Sequence, residues 1–115
     1  MKELQNYVDS IRDDLNKLYK ADFTDEERER MEEEGEPTDV YTYFDDALDV
    51  EYIIGGHKDF RGVRIAVALG GPNVYVDTRR GTIEGYWGSD EAEAWLPSEI
   101  CDEINDMFEE IYECM

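Results

Sequence analysis

DVEYIIGGHKDFRGVRIAVALGGPNVYVDTRRGTIEGYWG, residues 49–88, decides the fold. Val50, Tyr52 and Ile54 alternate with Glu51 and Ile53. Val63, Ile65, Val67 and Leu69 share one face of a second run, Val74 and Val76 of a third, and Ile83, Gly85 and Trp87 of a fourth. A repeat of two places these side chains on one side of extended chain. The connections GGHKDFRG, GGPN and RRG are short and glycine-rich, whereas a crossover between parallel strands takes about a dozen residues. The segment therefore predicts a four-stranded antiparallel meander. Its second face carries Glu51, Arg64, Asp77 and Glu84 together with Ile53, Ala66, Tyr75 and Tyr86. That face is expected to lie mostly in water, with Arg64 pairing across strands to Glu51 or Glu84.

Such a sheet needs a cover for its apolar face, and the flanking segments provide candidates. In residues 2–20, Leu4, Tyr7, Val8, Ile11, Leu15 and Leu18 fall at the spacing of a helix with one buried stripe. Thr24 with Glu27 fits a capping box, and Gly35 followed by Pro37 is a stop, so a short acidic helix with Met31 as its anchor is expected there. Val40, Tyr43, Phe44 and Leu48 share a face in TDVYTYFDDAL, which suggests a further turn or two of helix. SDEAEAWLP then connects the sheet to a last helix over residues 99–114, with Ser98 as its N-cap. The fold expected for residues 1–115 is one α+β domain. In it, a four-stranded antiparallel meander is covered on one face by the N- and C-terminal helices, with an acidic helical excursion after the first helix.

Charge is distributed unevenly over this plan. The chain has 31 acids and 11 bases, a formal net charge of −20. Residues 1–47 hold 16 acids and 6 bases, residues 48–88 hold 5 and 5, and residues 89–115 hold 10 and none. Bare nucleic acid and anionic membranes are poor partners for such a chain, and a basic protein surface is a good one. No run of residues approaches a membrane span, and MKELQNYVDSIRDD has acids where a signal peptide is apolar, so a cytoplasmic protein is expected. Cys101 and Cys114 are expected as reduced thiols.

On the last helix, Glu99, Asp102, Glu103, Asp106, Glu109, Glu110 and Glu113 fall within a sector of about 120°, opposite Ile100, Ile104, Met107, Phe108, Ile111 and Met115. A face shaped only for solubility mixes signs, because acid–base pairs one turn apart stabilise a helix and like pairs destabilise it. This one has no base, and its acids near the C-terminus oppose the macrodipole. Its charge density is about one per 3 Å, against about one per 1.7 Å along duplex DNA.

Other chemistries find little support. No segment follows the EF-hand order, and one histidine with two separated cysteines does not make a tetrahedral zinc site, so no metal or cofactor is expected. His57 lies in a turn far along the chain from Cys101, whose place beside the apolar stripe suits packing better than catalysis. The glycines of IIGG and LGGPN follow neither phosphate-binding pattern. Arg61, Arg64, Arg79 and Arg80 with Tyr75 and Tyr86 suggest a platform for single strands, but the surrounding charge opposes it. A catalytic role is not expected.

The hairpin VDTRRGTIEGYWG followed by the acidic helix resembles small uncharacterised proteins of bacterial phages and mobile elements, over about the last 75 residues. In size and charge alone the chain is also similar to DNA-mimic proteins that block CRISPR nucleases or restriction enzymes. The resemblance implies a non-enzymatic acidic inhibitor that occupies a basic nucleic-acid channel of a defence protein. The partner-binding residues expected are Glu99, Asp102, Glu103, Asp106, Glu109, Glu110 and Glu113, with Glu26, Glu32, Glu33 and Glu34 as a second patch. The rival expectation is a protein-interaction module that uses Tyr75, Tyr86, Trp87 and Trp95, its acids serving solubility.

Overall fold

The structure, a computed structural model, describes residues 2–115. It is α+β, with four helices and one antiparallel sheet of five strands in the order β1-β2-β3-β4-β5. The first helix, α1 (Lys2–Lys20), buries Leu4, Val8, Ile11, Leu15 and Leu18. Tyr7, at the margin of that stripe, stays 42% exposed. Helix α2 (Asp25–Glu34) begins at the capping box: the Glu27 amide donates to Thr24 Oγ1 and the Thr24 amide to Glu27 Oε1. Gly35 ends it at φ 74°, the left-handed geometry that glycine adopts without steric cost. No residue of α2 is fully buried; Met31 rests against the core and the Arg28 guanidinium over the Phe23 ring.

The next turn, α3 (Val40–Tyr43), is capped by Asp39, which accepts from the Thr42 amide at 2.7 Å. Val40 and Phe44 are buried but Leu48 is 58% exposed, so the helical face expected to include it stops short. The helix has ended by then: the Leu48 amide already donates to the Ala66 carbonyl, at the start of the sheet.

The strands are β1 (Asp49–Ile54), β2 (Phe60–Ala68), β3 (Asn73–Asp77), β4 (Thr82–Trp87) and β5 (Asp90–Trp95). The fifth replaces the expected connector SDEAEAWLP. Gly88, at φ 63°, opens a two-residue turn that returns the chain antiparallel to β4, with Trp87 opposite Asp90 and Thr82 opposite Trp95. Alanine, aspartate and glutamate are poor strand formers, so β5 owes its place to packing. Its inward residues Ala92 and Ala94 are small where α1 presses on the sheet. Beside them a Cβ on Gly85 would lie 2.7 Å from Val8 Cγ2 and 2.9 Å from Leu4 Cδ1.

A register shift between Ala66 and Ala68 marks a bulge in β2, and the strand ends one residue later. Leu69, expected on the inner face, is therefore 49% exposed. Val63, Ile65, Val74, Val76 and Ile83 form the centre of the core with the inward residues of α1 and the last helix, α4 (Ser98–Glu113). The N-cap of α4 is Pro97, not Ser98, and no side chain caps it. Ile100, Cys101, Ile104 and Phe108 are buried, whereas Ile111 is 43% and Met115 76% exposed, because the apolar stripe outruns the core. Phe108 packs edge-on to Phe44 and Tyr52, and Tyr112 lies beside Tyr52 and Phe60 with its hydroxyl donating to the Lys58 carbonyl at 2.9 Å. No helix is long and apolar enough to cross a membrane among the described residues.

Candidate acidic docking surface

The row on α4 is built by two opposed demands. Eight of its carboxylate pairs stand three or four residues apart, which at low salt costs about 2–4 kcal/mol in all. Burial of Ile100, Ile104 and Phe108 contributes about 5–9 kcal/mol, so packing outweighs the repulsion. The helix is thus held in place by its inner side while its outer side works against it. Six of the seven carboxylates are exposed and Glu109 is half-buried; none forms an ion pair among the described residues. At the rise of 1.5 Å per residue they extend over about 21 Å.

Five of the seven arginines are engaged in ion pairs with acids outside the row, whereas Arg79, which forms none among the described residues, lines a groove with Asp102 near the start of α4. Arg12 pairs with Asp9 and Asp13, Arg30 with Glu34 and Glu36, and Arg61 with Asp59. Arg64 and Arg80 are drawn to the outer face of the sheet. There Glu84, 3% exposed, accepts from Arg64 Nη2 at 3.1 Å and Tyr86 Oη at 2.9 Å through one oxygen, and from Arg80 Nη1 at 2.9 Å and Thr82 Oγ1 at 3.0 Å through the other. Burial pushes its pKa up, but the hydrogen bonds from Tyr86, Arg64 and Thr82 and the charge of Arg64 outweigh it and hold the carboxyl below its ordinary value. The Arg64 guanidinium also covers the Tyr75 ring, 3.8 Å from its centre. Asp77 is closed off too, accepting from the amides of Arg79 and Arg80. The middle of this face, expected in water, is therefore sealed by its own side chains, and Arg64 takes Glu84, not Glu51, as its principal partner.

The second patch is less uniform. Glu26, Glu32, Glu33 and Glu34 are all exposed on α2, but Glu34 is paired with Arg30 at 2.9 Å. Helix α2 does not pack along α4; α3 is the element in contact with both α1 and α4. The structure adds three acids that sequence reasoning left out of the site: Glu36, which also faces Arg30, and Asp45 and Asp46, whose signal was the pair DD after YTYF, line a groove with Glu32. Reading the segment TDVYTYFDDAL as helix hid that pair. The ten C-terminal acids also divide differently: Asp90, Glu91 and Glu93 belong to β5, leaving seven on α4.

The aromatic alternative does not form one surface. Tyr75 and Tyr86 meet edge-on at 6.2 Å on the outer face, and Trp95, 73% exposed, lies on that side by alternation along β5. Trp87 follows Ile83 and Gly85 in phase and so lies on the opposite face from Tyr86. No three His, Cys, Asp or Glu groups converge to hold a metal ion among the described residues. Burial, followed by the charges of Asp102 and Asp77, pushes the Cys101 thiol up to about 11, so it is not a thiolate at neutral pH. His57 sits in the exposed β1–β2 turn. No protein-family model matches the chain, and no curated protein or solved structure shows significant similarity to it.

Proposed function

We propose that this protein is a non-enzymatic acidic inhibitor that presents carboxylates in place of nucleic-acid phosphates to the basic channel of a nucleic-acid-handling protein, of the kind that serves in bacterial defence. The observation that carries the reading is the α4 row: seven acids on one helix, six of them exposed, with no ion pair among the described residues. Each carboxylate is a free acceptor for arginine or lysine, and charge-assisted bonds of that type are the strong ones. Asp102, Glu103, Asp106, Glu109, Glu110 and Glu113 are the principal contacts. Glu99 begins the row, and Glu26, Glu32, Glu33 and Glu34 form the second patch. The cytoplasm is the compartment in which such a partner is met.

The test is displacement of labelled duplex DNA from purified CRISPR nucleases and restriction enzymes by the full chain. Displacement that is lost in an Asp102→Asn, Asp106→Asn, Glu110→Gln variant supports the reading. Binding to such an enzyme that the variant retains in full contradicts it. A second reading rests on Trp95, whose exposure is large for a tryptophan: an interaction module that uses the Tyr75, Tyr86 and Trp95 side. Trp95→Ala then abolishes binding and the α4 variant does not.

A further inference from the structure

The two outer edges of the sheet differ. On β5, Gln5 of α1 donates from Nε2 to the Glu93 carbonyl at 2.9 Å, so a helix side chain occupies part of that edge. On β1 the backbone is bonded to β2 alone, and among the described residues no other element donates to it or accepts from it. Such an edge offers a row of N–H and C=O groups to any extended segment that fits its side chains. Along this edge apolar and acidic residues alternate. Val50 and Tyr52, on the helix side, are only half-buried, and Leu48 just before them is 58% exposed. Asp49 and Glu51, on the other side, are exposed and form no ion pair among the described residues. Arg64, opposite Glu51 in the register, is committed to Glu84 and Asp77.

We propose that the free edge of β1 accepts an extended segment of another protein in which basic and apolar residues alternate. Its apolar side chains continue the row of Leu48, Val50 and Tyr52 under the helices, and its lysines or arginines meet Asp49 and Glu51 on the outer face. A second copy of this chain fits poorly, since pairing β1 with itself brings Asp49 and Glu51 of both molecules together in a protein of net charge −20. The proposal stands apart from the α4 row, because it uses a different element and depends on main-chain pairing as well as charge.

The test uses the full chain and two short peptides of equal composition, one alternating lysine and valine and one with the lysines and valines in separate blocks. Binding is titrated, and backbone amide exchange is followed residue by residue. The alternating peptide should bind more tightly than the block peptide and slow exchange of the outward amides within residues 49–54. Glu51→Lys should weaken it by about tenfold, and Asp106→Asn with Glu110→Gln should leave the protection of β1 in place. Equal binding of the two peptides, or protection confined to β5 or α4, overturns the proposal. So does a dimer that protects the β1 amides without peptide, which would make a second copy the occupant.

Discussion

Neutralising the middle of the α4 row should make the protein more stable. Glu103→Gln, Asp106→Asn and Glu110→Gln change three exposed side chains that form no ion pair among the described residues, at nearly constant volume and helix propensity. Six of the eight like-charge pairs disappear, which at about 0.2–0.5 kcal/mol each contributes about 1–3 kcal/mol at low salt. Removing Glu110 from the C-terminal turns adds about 0.3–1 kcal/mol by relieving the macrodipole. The melting temperature should therefore rise by several degrees, since about 1 kcal/mol shifts a domain near this size by about 4 °C or more. Circular dichroism melts at 20 mM and 500 mM NaCl provide the assay, because screening should shrink the gain as the Debye length falls to a few ångströms. A variant less stable than the parent, or a difference that salt leaves unchanged, would show that these carboxylates make structural contacts and that the row is not an energetic cost.

Other consequences follow from the packing and the outer-face network. Gly85→Val should destabilise the fold by about 1–3 kcal/mol in urea melts, because its Cβ enters the space of Val8 and Leu4; a loss below a few tenths would mean that α1 does not press on β4. The depressed pKa of Glu84 contributes stability that is present above the ordinary carboxyl value of 4.5 and lost as pH falls through the folded value. Glu84→Gln should accordingly lower the midpoint at pH 7 and remove part of the acid sensitivity of the parent, and parallel pH profiles would contradict that assignment. A thiol reagent at neutral pH should label exposed Cys114 rapidly and buried Cys101 only on unfolding, read by mass spectrometry; prompt double labelling would refute the placement of Cys101 in the core.

The amphipathic helices and the first four strands were legible because each has a strong period: five leucines, isoleucines and valines one turn apart in α1, and branched residues alternating through β1 to β4. The capping box and Gly35 were legible because their chemistry is local. β5 was not, since Asp-Glu-Ala-Glu-Ala-Trp has low strand propensity and its alternation acquires meaning only against Gly85 and α1, which are distant in sequence. Leu48, Leu69 and Ile111 were misplaced for a common reason: a periodic pattern shows which way a side chain points, not where the element that should cover it ends. The acidic row on α4 was readable residue by residue. Its lack of ion pairs among the described residues was not, because that depends on tertiary placement, with Arg64 and Arg80 held by Glu84 on the outer face of the sheet.

The most direct test of the account is the salt dependence of binding to a nucleic-acid-handling enzyme whose channel competes with duplex DNA. Affinity measured by calorimetry between 50 mM and 500 mM NaCl should fall by at least about tenfold, with the Asp102→Asn, Asp106→Asn, Glu110→Gln variant both weaker and less salt-dependent. Affinity that stays constant across that range, or a variant with the parent's affinity and salt response, would contradict the claim that the carboxylate row is what the partner recognises.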